Sequence, residues 1–301
     1  MVIVLAVMAV SLVLASTAGG TKASPQSSKA QARVAIPSSA KQVAPGVYYL
    51  GEATDKGKVV EGYAFVKYQR KEGRGKPGTE CGNGICEPGE NARKCPDDCG
   101  GGEPDPDPEE TCYGFLAKGA KWKTVEDYLV DAESSEDLDA AFVSENVAFN
   151  IAKWEDAADG LLDGNITKDI LGNEVGGVVD GVDWDSPDDK NELYFGDIEE
   201  PGVIAMAVVW GTFSAPPGLR QLVEWDHVYD QVDFVWSSTG EPGKMDFENI
   251  ATHELGHSVG LADLYETACS EQTMYGYASY GETKKRTLES GDIEGISQLY
   301  K

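Results

Sequence analysis

Residues 253–263 read His-Glu-Leu-Gly-His-Ser-Val-Gly-Leu-Ala-Asp, and they hold two of the three histidines in a chain of 301 residues. On a helix, His253 and His257 lie one turn apart on one face, where both imidazoles reach a single ion. Glu254 projects beside them, placed to touch a water on that ion without ligating it. A third ligand six residues past His257 is out of reach if the helix simply continues. Gly260, free to adopt positive φ, lets the chain turn and deliver Asp263 as a carboxylate ligand. Two imidazoles, a carboxylate and a position left for water are what a zinc hydrolase needs.

These residues need a helix to carry them. Asp246 is an N-cap, and Phe247, Ala251 and Leu255 supply one apolar face, which predicts a helix over 247–258. Upstream, Ala140, Val143, Val147, Ile151, Trp154 and Ala158 recur at helical steps, with Ser134 and Asp137 as the start and Gly160 as the stop. Residues 121–130, 192–195, 203–210 and 222–229 read as strands. Helices on a short mixed sheet make the class α+β.

With these elements in place, the pattern His-Glu-x-x-His-x-x-Gly-x-x-Asp resembles the zinc signature of the metzincin peptidases. It is matrixin-like, with the aspartate third ligand of the snapalysin type. Met274, within Thr-Met-Tyr-Gly-Tyr at 273–277, resembles the methionine turn, and residues 291–300 resemble the last matrixin helix. Trp154-Glu155 and Lys190-Asn191-Glu192 fit the same pattern, so the resemblance covers residues 112–301. It implies a zincin catalytic domain: a short twisted mixed sheet, a long helix, an active-site helix, the methionine turn and a C-terminal helix. It further implies catalytic zinc on His253, His257 and Asp263, with Glu254 as general base and acid. Tyr275 and Tyr277 are the oxyanion candidates, and 203–210 is the edge strand on which an extended peptide lies. Two departures stand out. No Pro-Arg-Cys-Gly stretch supplies a thiolate to cap the zinc, and the matrixin third histidine is absent. His227 reads as a sheet side chain. Glu282 and Glu289 are the alternatives for a third ligand of the thermolysin-like kind.

Charge divides the chain. Residues 1–79 hold eleven Lys/Arg against four Asp/Glu; the rest hold fourteen against forty-eight, and the net charge is −27. So acidic a body argues against nucleic acid as a partner and suits an exported protein that meets divalent cations. Export fits the apolar run 2–15, a signal peptide with cleavage near Ala18, or else an uncleaved anchor. Six cysteines then read as disulfides: Cys81, Cys86, Cys95 and Cys99 among themselves, and Cys112 with Cys269 as a long-range staple.

The expected layout is a signal peptide (1–18), an extension or pro-segment (19–78), a Cys-rich module (79–100), a linker (101–111) and the main domain (112–301). Within the extension, Val47–Leu50 and Val59–Val66 flank a turn at Asp55-Lys56-Gly57, a hairpin too small for its own core. The basic stretch Gln-Arg-Lys-Glu-Gly-Arg-Gly-Lys at 69–76 is a linker or a maturation site. Asp180, Asp183, Asp185, Asp188 and Asp189 are candidate ligands of a structural calcium. Asn165-Ile166-Thr167 is a glycosylation sequon. The sequence thus leads to a secreted, monomeric zinc endopeptidase acting on proteins or peptides. Its membrane association would be limited to the signal or anchor segment. The competing reading is a surface- or calcium-binding protein with a vestigial zinc site.

Overall fold

The computed structural model describes residues 33–70 and 111–301. The apolar run 2–15, most of the spacer, the basic stretch after Arg70, the four clustered cysteines and most of the linker lie outside the described residues. No helix among those described is long and apolar enough to cross a membrane.

The chain enters through β1 (Arg33–Val34), β2 (Lys41–Ala44), β3 (Val47–Asp55) and β4 (Lys58–Gln69). The main body follows with β5 (Tyr128–Val130), helix α1 (Ala140–Ala157), β6 (Asn191–Ile198), β7 (Val203–Gly211) and β8 (Leu222–Asp230). The short strands β9 (Trp236–Ser237) and β10 (Met245–Asp246) lead into α2 (Phe247–Ser258), and β11 (Tyr277–Ala278) and α3 (Ser290–Tyr300) close the chain.

One sheet joins both ends of the sequence, in the order β1-β6-β8-β7-β4-β3-β2, with β5 on β6 and β11 on β4. Strands β6 and β8 run parallel, whereas β7 is antiparallel to β8 and to β4. The run Val-Ile-Ala-Met-Ala-Val-Val-Trp of β7 is apolar on both faces because both faces are covered. Ala205, Ala207 and Val209 face the helices, whereas Met206, Val208 and Trp210 face a second core.

This topology corrects two expectations. Strand β7 is not an edge, because β4 pairs along it from Glu61↔Gly211 to Tyr68↔Val203. Residues 41–69 therefore belong to the main sheet, and Val60, Phe65 and Val66 are buried in its two cores. The strand expected over 121–130 is confined to Tyr128–Val130. Its earlier residues serve the helices instead, with Lys121 Nζ donating to Leu299 O (2.6 Å) and Trp122 Nε1 to Ser258 O (2.7 Å). Helix α1 starts at Asp139, whose carboxylate accepts from Phe142 N at 3.2 Å, not at Ser134, which sits in a 3₁₀ turn. Cys112 and Cys269 form a disulfide.

Candidate metal and catalytic site

Helix α2 begins where Asp246 accepts a hydrogen bond from Asn249 N at 3.0 Å, the N-cap that satisfies one of the orphan amides of a first turn. Its last turn is followed by Gly260 at φ +106, a conformation that costs a residue with a Cβ dearly. A Cβ there would also meet Ala120 O at 2.9 Å. The turn returns Leu261 O to His257 Nδ1 (2.9 Å) and swings Asp263 back under the helix. One donor atom each from His253, His257 and Asp263 lies within 4.8 Å of the others. His253 Nε2 is 3.1 Å from one Asp263 oxygen, and His257 Nε2 is 3.7 Å from the other.

The second nitrogen of each imidazole is fixed. His253 Nδ1 sits 2.6 Å from Thr273 O, as His257 Nδ1 does from Leu261 O at 2.9 Å. A carbonyl only accepts, so each Nδ1 carries the proton and each Nε2 lone pair points into the triad. Thr273 is held in turn, because Asp292 accepts from Thr273 N (2.8 Å) and Met274 N (3.2 Å). Met274 lies against Gly256, so the turn at 273–277 packs on the helix that carries the histidines.

Polar atoms left without partners reveal what the site fits. His253 Nε2, Asp263 Oδ1 and both carboxylate oxygens of Glu254 are buried and make no hydrogen bond. Orphaned buried polar atoms are costly, and four together beside two neutral imidazoles match a metal with a water at hand. Burial, then the charge of Lys67, pushes His253 down to about 3, the neutral state a ligand needs. Burial also raises Glu254 well above the usual carboxylate range. The donor set of two imidazole nitrogens and a carboxylate suits zinc.

Residues outside 112–301 also line this site. On β4, Phe65 stacks on the His257 ring at 4.5 Å and 22°. Lys67 Nζ lies 3.0 Å from His253 Nδ1 and donates to Tyr275 O at 2.5 Å. Burial, then the nearby Lys285, pushes the Lys67 ammonium down to about 7. Tyr265 donates from its hydroxyl to Pro45 O (2.8 Å) and Asp263 Oδ2 (3.3 Å). The covering is complete: His253 and Glu254 are 0 % exposed and His257 1 %. None of these contacts was legible in the sequence, because strand pairing between distant segments leaves no local mark.

The remaining candidates find other places. His227 faces inward from β8 and meets Ser258 Oγ at 2.9 Å, outside the triad. Glu282 pairs with Lys285, and Glu289 caps α3. Tyr275 and Tyr277 stand with ring centroids 5.9 Å apart, Tyr275 beneath Lys285 Nζ. Among the described residues, the five loop aspartates form no ligand cluster of their own. Asp180 and Asp188 are taken by Lys190 (2.8 and 2.5 Å), Asp189 by Lys56 (2.6 Å), and Asp185 is exposed. Asp183 instead joins Glu224 and Asp226, two strand residues the sequence reading passed over.

No curated protein matches the chain. Residues 191–301, the stretch from β6 to α3 that holds His253, His257, Asp263 and Met274, match the Matrixin family of peptidases, so over this stretch the chain is similar to a matrixin-like metzincin, a family of zinc metallopeptidases.

Proposed function

We propose that the protein is a secreted zinc endopeptidase whose own β4 strand covers its active site. The observation that carries this reading is the set of buried, unpartnered donor atoms on His253, Glu254 and Asp263. His253, His257 and Asp263 would hold the zinc, which when bound supplies Lewis-acid polarisation to the scissile carbonyl and the attacking water. Glu254, its proton affinity raised by burial, accepts a proton from that water and hands it to the leaving amine nitrogen. One peptide C–N bond breaks, one water is consumed, and a carboxylic acid and an amine result. Tyr275 or Tyr277 is the side chain to steady the developing oxyanion.

The substrate would take the place that β4 holds now. Strand β4 runs antiparallel to β7 on one side and parallel to β11 on the other, with Phe65 and Lys67 over the two histidines. An extended peptide entering there gains backbone pairing on both sides, the binding mode of β-augmentation. Residues 41–69 then act as a pro-segment, and the basic stretch at 69–76 is where maturation would cut.

The test uses zinc-loaded protein cut in 70–76 and freed of its N-terminal piece. Wild type should hydrolyse casein, and Glu254→Gln should lose about 10²–10⁴-fold in kcat while keeping one zinc per chain. Activity that survives Glu254→Gln, or a zinc-loaded, uncovered wild type that cleaves nothing, would overturn the reading. The second result would favour a binding protein with a vestigial site.

A further inference from the structure

Strand β4 sends a charged side chain into the core that holds the triad. Tyr63, Phe65 and Lys67 face the helices, whereas Ala64 and Val66 face the outer core. Phe65 stacks on the His257 ring at 4.5 Å. Lys67, two residues on, passes beside His253 and places its Nζ 2.5 Å from Tyr275 O. Its backbone is level with Ala205 of β7, and the next residue, Tyr68, is level with Tyr277 of β11. The side chain therefore enters between the two strands that would hold a substrate.

Lys67 is 1 % exposed, and its ammonium is anchored on a backbone carbonyl, not in an ion pair among those described. A buried ammonium without a carboxylate in contact is a costly way to fill a core, and methionine or leucine would fill the same space at less cost. The surroundings explain why the charge is tolerated. Asp263, Glu254 and Glu282 attract it, and Lys285 opposes them. Once β4 leaves, the same carbonyl and the same carboxylates line a slot sized by the four-carbon stem that fills it now.

We propose that the place held by Lys67 is the specificity slot of the enzyme. The uncovered protein cleaves extended segments that carry a lysine two residues after an aromatic side chain, in one of the two bonds between them. This inference rests on the peptidase reading, which it narrows from peptides in general to lysine-bearing ones. The substrate lysine takes over the hydrogen bond to Tyr275 O, and the aromatic ring takes over the face of His257. The residue between them points to the outer face of the sheet, as Val66 does. A substrate without the ammonium sets an apolar stem against buried polar groups, the kind of mismatch by which such a site rejects an analogue.

Two measurements test this. The first uses zinc-loaded full-length wild type, nicked in 70–76 and assayed as its N-terminal piece is degraded. Its probes are two fluorogenic peptides that differ only in lysine or norleucine, each placed two residues after a phenylalanine. The lysine peptide should be cut at least about tenfold faster in kcat/KM, with mass spectrometry placing the cut between the phenylalanine and the lysine. The second uses intact Lys67→Ala protein, whose missing atoms match propylamine. Propylamine at about a hundredfold over its Kd should raise the thermal midpoint by about 5–10 °C, and propanol at the same concentration should not. Lys67→Met, whose own stem fills the slot, should respond to neither. Equal cutting of the two peptides, cuts outside that span, or propanol acting as well as propylamine would each overturn the proposal while leaving the peptidase reading intact. Cutting of neither peptide would overturn that reading and the substrate with it. A response to propylamine would then mark the slot as a lock for β4 alone.

Discussion

Glu282 illustrates how a single carboxylate near a metal site can be committed elsewhere. Its carboxylate pairs with Lys285, whose side chain is wholly buried. Burial favours the neutral carboxyl, but the Lys285 ammonium outweighs it and holds Glu282 below the usual carboxylate range. For Lys285 burial wins and pushes the ammonium down. Glu282→Gln leaves that ammonium unpaired and should cost about 3 kcal/mol at neutral pH, read by urea unfolding, with zinc content unchanged. The pH dependence has a definite sign. A depressed carboxylate keeps its charge in the folded chain where the unfolded chain has already taken up a proton. Its stabilisation is therefore complete above the unfolded value of about 4.3 and fades as pH falls through the folded value. Wild type and Glu282→Gln should accordingly converge in stability in acid. Loss of zinc from the variant would instead make Glu282 a ligand and displace Asp263 from that role.

At the scale of elements, α2 and the methionine turn act as one part. Gly256 faces Met274 and Trp154, and a Cβ there would collide with the sulfur. Gly256→Ala gains helix propensity worth up to about 1 kcal/mol. The overpacking costs typically about 1–3 kcal/mol, so the net should be destabilising. The shifted turn should also loosen Thr273 O from His253 and weaken zinc binding, measurable by competition with a chelator. A Gly256→Ala protein as stable as wild type, with unchanged zinc affinity, would show the turn to be a bystander. This part of the fold was legible in the sequence because its signals are local: Asp246 as cap, apolar residues at helical steps, Gly260 as the turn and Asp263 at a fixed offset. The sheet was less so. Lys121 and Trp122 alternate like strand residues, yet their partners are carbonyls at the ends of α3 and α2. Glu224 and Asp226 carry no local mark of burial, because the amides that reach them come from a loop about forty residues earlier, at Asp183, Asp188 and Asp189. Where β4 goes is a long-range choice, and Phe65 and Lys67 carry no sign of the histidines they will meet.

The molecule as a whole is closed over its chemistry by a strand that also belongs to its core, and the two roles conflict. Val60, Phe65 and Val66 of β4 are buried at 0 %, 4 % and 1 % exposure. At about 1.5–3 kcal/mol each, their burial alone holds β4 in place by about 5–9 kcal/mol. Backbone pairing with β7 and β11 adds to that. At about 1.4 kcal/mol per decade, an open form amounts to less than about one molecule in a thousand. Cutting the chain in 70–76 does not change this balance, although it removes the only covalent hold. No cysteine precedes Cys81, so residues 1–70 are then tied by contacts alone. The nicked protein should therefore elute as one species with its N-terminal piece and stay below about 1 % of full activity. Activity should rise in step with destruction of that piece by further proteolysis, followed by mass spectrometry against hydrolysis of a fluorogenic peptide. A synthetic peptide spanning 58–69 should then inhibit the uncovered enzyme competitively, because it restores the same pairing. Full activity in nicked protein that still carries the piece would mean that β4 is scaffold only and that substrate reaches Glu254 by another route.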